Sequence, residues 1–318
     1  MELKQIALQT LKNCMAVKEG EEVVVVVDSP LKKIGENFLE AAKELKSEAV
    51  LVEFMPRENN GEEPPPAVAG AMKNGDVLML ITSRSLSHTK ARHAACKAGA
   101  RVASMPMVTE DMIKRTLALD YAEMKETCDR YADFLTGANE VHLTTPAGTD
   151  LTFSIAGREG QSDSGILHNK GDFGNLPAGE AFIAPVEGSA KGTIVIDGSM
   201  AGVGLVDEPI KIKVKNGLAI EITGGESAKK LSAIVEKYGE KARNIAELGI
   251  GVNPQAKLTG FTLEDEKIAG SCHIALGDNS TFGGNVSVDS HLDGVILKPT
   301  LVIDGKKLID SGKLSLSK

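Results

Sequence analysis

Residues 23–27 are five consecutive valines, bounded by Glu21-Glu22 on one side and Asp28-Ser29-Pro30 on the other. A run with no polar alternation has no face to give to water. It is therefore read as a strand buried on both faces, as in a parallel sheet covered by helices. The segments around it repeat the theme. Ala49–Phe54 and Asp76–Thr82 (DVLMLIT) read as further apolar strands, and Arg101–Ser104 as a short fourth one. Helical periodicity separates them at Glu2–Ala16, Leu31–Lys46 and Ser87–Ala98, the last ending at Gly99. Ser29 is available to cap the second helix just ahead of Pro30. Arg57–Pro66 reads as a solvated loop, and Thr109–Leu117 and Tyr121–Leu135 as two helices leading out of an α/β domain. Its first strand ends without the glycines that let a backbone approach a pyrophosphate, so no nucleotide is expected there.

After Gly137 the pattern changes to short strands and frequent glycine. Asn216-Gly217 and Asp304-Gly305 each separate two strand-like runs, a strong hairpin signal. Glu140–Thr145 and Asp150–Ile155 flank Pro146-Ala147-Gly148, Gly192–Asp197 is another strand, and Ser227–Tyr238 is the one clear helix. The expected architecture is an α/β N-terminal domain with a parallel sheet, residues 1–137, and a β-rich α+β C-terminal domain, residues 138–318. Gly202-Val203-Gly204 joins no strand to a helix and reads as a loop.

The net charge of −8 argues against nucleic-acid and anionic-membrane partners. With no Trp, 3 Tyr and 8 Phe, a stacking platform for single strands is not expected. The start is read as an amphipathic helix and not as a signal peptide. Cys14, Cys96, Cys128 and Cys272 form no CxxC, which fits reduced thiols and a cytoplasmic setting.

Residues with chemical potential concentrate in the second half. His291 and Asp293 are two apart, so on a strand they face the same way and offer an imidazole and a carboxylate together. His273 opens the apolar segment His-Ile-Ala-Leu. Glu180 and Glu247 are carboxylates in apolar or glycine-rich surroundings, where an unpaired charge is costly and a metal is one economical partner. Each has an ordinary reading as well: a satisfied core histidine, or a carboxylate paired with a lysine or a backbone amide. His88 and His93, five apart, do not share a helical face and are not a zinc pair. His88 follows the third strand near the carboxyl end of a parallel sheet and is a candidate substrate-binding residue.

The blocks GEAFIAPVEGSAKGTIVIDG (179–198), IAELGIGVNPQAKLTG (245–260), EDEKIAGSCHIALGDN (264–279) and SHLDG (290–294) resemble, in order, the thermophilic metalloaminopeptidases. This is peptidase family M29, which includes aminopeptidase T and aminopeptidase S. VKEGEEVVVVVDSP and SRSLSHTKARHAACKAGARVASMP resemble that family's first domain. The resemblance implies a homodimeric hydrolase that releases N-terminal amino acids from peptides by means of two divalent ions (Zn, Co or Mn). The implied ligands are Glu180, Glu247, His273, His291 and Asp293, with Glu180 or Glu247 also a candidate general base.

The chain departs from that pattern in being shorter, with His273 and His291 only 18 residues apart, and in lacking the active-site tyrosine expected after the first histidine. The matching stretch holds Phe282, and no tyrosine follows Tyr238. The same resemblance extends to 2,5-dihydroxypyridine 5,6-dioxygenase. This alternative implies one Fe(II) on His273, His291 and Asp293, a two-histidine, one-carboxylate set. Glu180 and Glu247 are surplus to that set, and few aromatic residues are available to stack a ring. A relative that binds without turnover is the third reading.

Overall fold

The computed structural model describes residues 1–316. They form two compact units, one of residues 1–122 and 165–178, the other of residues 123–164 and 179–316. The first is α/β with a parallel sheet and the second is β-rich and antiparallel, as the sequence implies.

In the first unit, α1 (Leu3–Asn13) packs on α2 (Lys32–Glu44). Strands β1 (Glu22–Asp28), β2 (Glu48–Phe54), β3 (Val77–Ile81) and β4 (Arg101–Ser104) pair in parallel in the order β2-β1-β3-β4. Val23 to Val27 are all buried, as an interior parallel strand requires. Each such side chain contributes roughly 1.5–3 kcal/mol through burial. Ser29 does not cap α2; it opens a short 3-10 turn, and α2 starts only at Lys32 without a side-chain cap. α3 (Pro66–Asn74) occupies a stretch with no helix expected. Its proline at the first turn is pre-set for helix, while the glycine at position 70 weakens the signal. α4 (Lys90–Ala98) is capped by the Thr89 side chain and ends at Gly99, and α5 (Glu110–Thr116) is capped by Thr109.

The boundary expected near residues 136–140 lies earlier. α6 (Tyr121–Thr136) belongs for most of its length to the second unit. The Tyr131 hydroxyl donates to the Leu308 carbonyl at 3.4 Å, and Thr136 Oγ1 accepts from the Gly160 amide at 3.0 Å. The chain continues through β5 (Glu140–Thr144), β6 (Asp150–Ser154) and β7 (Gln161–Asp163). It then returns to the first unit, where β8 (Phe173–Asn175) extends the parallel sheet beside β4. A three-residue strand with no apolar run leaves no periodic trace, so this excursion is invisible in the sequence.

The rest of the second unit comprises β9 (Glu180–Ile183), β10 (Lys191–Ile196), β11 (Ser199–Met200), β12 (Gly204–Leu205), β13 (Ile210–Lys215) and β14 (Leu218–Thr223). These are followed by α7 (Glu226–Tyr238), β15 (Ile245–Gly251), α8 (Thr262–Asp265), β16 (Cys272–Gly277) and β17 (His291–Ile296). The last strands are β18 (Thr300–Ile303), β19 (Lys306–Asp310) and β20 (Lys313–Leu314).

Two antiparallel sheets result, ordered β14-β13-β10-β6-β5-β18-β19-β20 and β12-β11-β17-β16-β15-β9-β7. Both expected hairpins form, at 216–217 and 304–305. The second sheet turns Ala181, Ile183, Leu248, Ile250, Ile274, Leu276 and Ile296 to a buried apolar face. On that face Gly294 lies against Ile196 of the first sheet. All four cysteines are free. Among the described residues no helix is long and apolar enough to cross a membrane.

Candidate metal centre

The opposite face of the second sheet carries the chemistry, and strand register decides which residues reach it. Partners across neighbouring strands share a face. Asp163 pairs with Glu180, and Glu180 with Gly251. Phe182 pairs with Gly249, and Gly249 with His273. Glu247 pairs with Ala275, and Ala275 with Asp293, while Gly277 pairs with His291. Every functional side chain therefore has a glycine or alanine beside it on at least one neighbouring strand, which leaves room for rings and carboxylates above the sheet. A β-bulge between Ile245 and Glu247 breaks strict alternation. It turns Ile245 to the apolar face while Glu247 stays on the charged one.

The five residues singled out in the sequence come together. His273 Nε2 is 3.1 Å from Glu247 Oε1 and 3.3 Å from Glu180 Oε2. His291 Nε2 is 3.3 Å from Glu247 Oε2 and 3.2 Å from Asp293 Oδ1. Glu247 is thus bracketed by the two imidazoles. Two compact groups with metal-ligand chemistry share it, Glu180–Glu247–His273 and Glu247–His291–Asp293. The first is buried, whereas His291 is 27% exposed and opens the second to solvent. His291 Nδ1 lies 2.7 Å from the Asp278 carbonyl. A donated N–H there fixes the ring and leaves Nε2 free to ligate. His88 is an exposed turn residue ahead of α4, in the first unit.

Three participants escaped the sequence reading. Lys267 is buried to 1% exposure, and its ammonium lies 2.5 Å from Glu180 Oε1, 2.8 Å from Glu266 Oε1 and 3.1 Å from Asp163 Oδ2. The run Glu264-Asp265-Glu266-Lys267 has the look of a solvated face, yet all four residues are buried. Glu264 accepts the Lys257 amide, and Asp265 accepts those of Thr259 and Gly260, so the run folds its own loop. The available signal was a block of four charges four residues ahead of an apolar strand, with Gly251 to receive it. A Cβ at Gly251 would lie 2.2 Å from the Ile268 carbonyl oxygen, so only glycine lets the 266–268 backbone cross β15 at this height.

The electrostatics follow from this crowding. Burial opposes a charged ring at His273, but Glu180, Glu247 and Asp293 outweigh it and hold the group up at about 9. His291 is raised for the same reason, chiefly by Asp293 and Glu247. Burial lifts Glu180 to about 8, with Lys267 and His273 opposing. At Glu247 and Asp293 burial is overcome by the imidazoles, and both stay below the usual carboxylate range. Five carboxylates (Asp163, Glu180, Glu247, Glu266 and Asp293) face a single ammonium. Glu180 Oε2 is buried with no hydrogen-bond partner. With neutral imidazoles the cluster has an excess of negative charge that a divalent cation would offset, and its nitrogen and oxygen donors suit such an ion. The donor set fits a metal.

Beside the centre, Phe282 stands edge-on to the His291 ring at 5.9 Å, and Phe182 edge-on to Phe282 at 5.4 Å. The scarcity of aromatic residues in the chain had argued against a surface for a ring. The fold concentrates two of the eight phenylalanines at the partly exposed side of the cluster.

The model of the NicX family, 2,5-dihydroxypyridine 5,6-dioxygenase, matches residues 2–316. The chain belongs to this family. It is 23% identical over 261 residues to the 2,5-dihydroxypyridine 5,6-dioxygenase of Pseudomonas putida, covering 74% of this chain and 70% of that one. Aminopeptidase PepS of Streptococcus thermophilus is 30% identical over 143 residues, 43% of this chain and 34% of the peptidase. Among solved structures, the P. putida dioxygenase superposes with a TM-score of 0.83 at 20% identity, covering 99% of this chain and 97% of that one. AmpT from Thermus thermophilus gives 0.77 at 19% identity, covering 99% of both chains.

The chain thus shares its fold with both the dioxygenase and AmpT. The expectation of a hydrolase acting on peptides is overturned. The family match over nearly the whole chain is to an oxidoreductase, and the peptidase similarity in sequence is confined to a minor part.

Proposed function

We propose that this protein is a ring-opening dioxygenase acting on a dihydroxylated pyridine, with one Fe(II) held by His273, His291 and Asp293. The observation that carries the reading is the NicX match across residues 2–316, joined to two imidazoles and a carboxylate on one sheet face. When bound, the iron would supply activation of dioxygen and of the substrate's hydroxyl group.

The chain's own residues supply the setting. The Phe182–Phe282 pair offers a planar ring an apolar flank at the open side of the cluster, where stacked or edge-on contacts contribute about 0.5–1.5 kcal/mol. Phe282 cannot donate a hydrogen bond to a tetrahedral oxyanion, as a phenol would, and a ring-opening oxidation does not require one there. Glu247, between the two imidazoles, holds both rings and is placed to accept a proton from a substrate hydroxyl.

The test is oxygen uptake. Protein purified without oxygen, loaded with Fe(II) and given 2,5-dihydroxypyridine should consume one dioxygen per ring. The aromatic absorbance should disappear as the bond between ring carbons 5 and 6 breaks, with both oxygen atoms in the product. No uptake by folded, iron-loaded protein on dihydroxypyridines carrying varied ring substituents would overturn the reading.

A further inference from the structure

We propose that the Lys267 ammonium occupies the place of a second cation and so restricts this centre to one metal ion. The inference rests on the one-ion reading above and adds the residue that enforces it. The two donor groups that share Glu247 would, by composition alone, accommodate two ions. Only one of them contains a carboxylate that a lysine has claimed. Glu180 Oε1 is 2.5 Å from Lys267 Nζ, and Glu266 and Asp163 complete a three-carboxylate shell around the same nitrogen. Oxygen donors at these distances around one buried positive charge are the surroundings a cation would have, already satisfied by the chain.

The contrast between the two groups is geometric. Glu180–Glu247–His273 is buried and has Lys267 against it. In Glu247–His291–Asp293 the carboxylates pair with imidazoles, whereas the Lys267 ammonium pairs with Asp163, Glu180 and Glu266, and the group is partly open to solvent. The backbone explains how the lysine arrives. Gly251 is the strand partner of Glu180, and the absence of a side chain there lets residues 266–268 pass directly over β15. The Asn253 amide donates to the Lys267 carbonyl at 2.8 Å and pins the crossing. Lys267 is therefore a positioning residue. It pairs with Glu180 and withdraws it from ligation, leaving His273, His291 and Asp293 to hold the ion.

Metal content tests this independently of turnover. Wild-type protein loaded anaerobically with Fe(II), or with Mn(II) as a redox-stable probe, and then dialysed should retain about one ion per chain by mass spectrometry of the metal. Lys267→Met removes the charge at nearly constant length and should raise retention to about two. Lys267→Arg should keep about one. Two ions in the wild type, or one in a Lys267→Met protein with an unchanged circular dichroism spectrum, overturns the proposal. Should Lys267→Met fail to fold, Glu180→Gln decides. Retention of about one ion supports Lys267 as the partner of Glu180, and loss of the ion from folded protein makes Glu180 a ligand and overturns it. Dioxygenase activity is a separate outcome. A one-ion protein without oxygen uptake would sink the functional reading and leave the role of Lys267 standing.

Discussion

The His273 ring lies over Gly249, its paired residue on β15: a Cβ at position 249 would stand 2.0 Å from His273 Nε2. No real side chain tolerates that approach, so the ring's position depends on the absence of one across the sheet. Gly249→Ala should leave the strand paired and push the imidazole off the cluster. The expected result is a 10–100-fold loss of metal affinity. Overpacking should lower stability by about 1–3 kcal/mol. Metal titration and chemical denaturation of the variant check both. Unchanged affinity would mean that His273 is not a ligand.

Asp293→Ala should abolish metal retention. It removes a carboxylate 3.2 Å from His291 Nε2 and leaves that imidazole without its nearest countercharge. The apolar face of β17 is untouched, so the folded signal by circular dichroism should persist while metal content falls to background.

Metal uptake should release protons and strengthen with rising pH. His273 is held up at about 9 and His291 is raised, so both rings are protonated at neutral pH in the metal-free protein and must lose that proton to ligate. Calorimetry in buffers of different ionisation enthalpy measures the release, and a buffer-independent heat would contradict it.

The same groups set the pH dependence of metal-free stability. A histidine with a raised folded-state value contributes fully below about 6.5 and loses that contribution as pH rises toward 9. Glu180, raised to about 8, runs in the same direction from the ordinary glutamate value upward. Metal-free protein should therefore lose stability between about pH 5 and 9, by an amount on the order of a few kcal/mol at this site. Bound metal should flatten the profile, which thermal melts across that range would show.

Phe282→Ala should raise KM for the pyridine about tenfold with metal content unchanged. It removes one member of the Phe182–Phe282 pair and no ligand. Steady-state oxygen uptake alongside metal analysis separates the two effects.

The sequence by itself determined the two architectures, because periodicity is local. Five valines in a row admit no solvent face, and Asn216-Gly217 and Asp304-Gly305 close hairpins through their own backbone preferences. It also nominated Glu180, Glu247, His273, His291 and Asp293, through the two-residue spacing of His291 and Asp293 and a family resemblance in block order. Tertiary structure alone decided what those residues face. The bulge after Ile245 set the phase of β15, and the return of residues 165–178 to the first unit left no periodic signal. Phe182 and Phe282, 100 positions apart, met beside His291. Lys267 carries no signal of its own in the sequence, because charge runs are ordinarily solvated. Its burial depends on Gly251 yielding space to a backbone crossing and on Asp163 and Glu180 arriving from separate segments. Long-range register and desolvation settle such pairings, and neither is written in the neighbours along the chain.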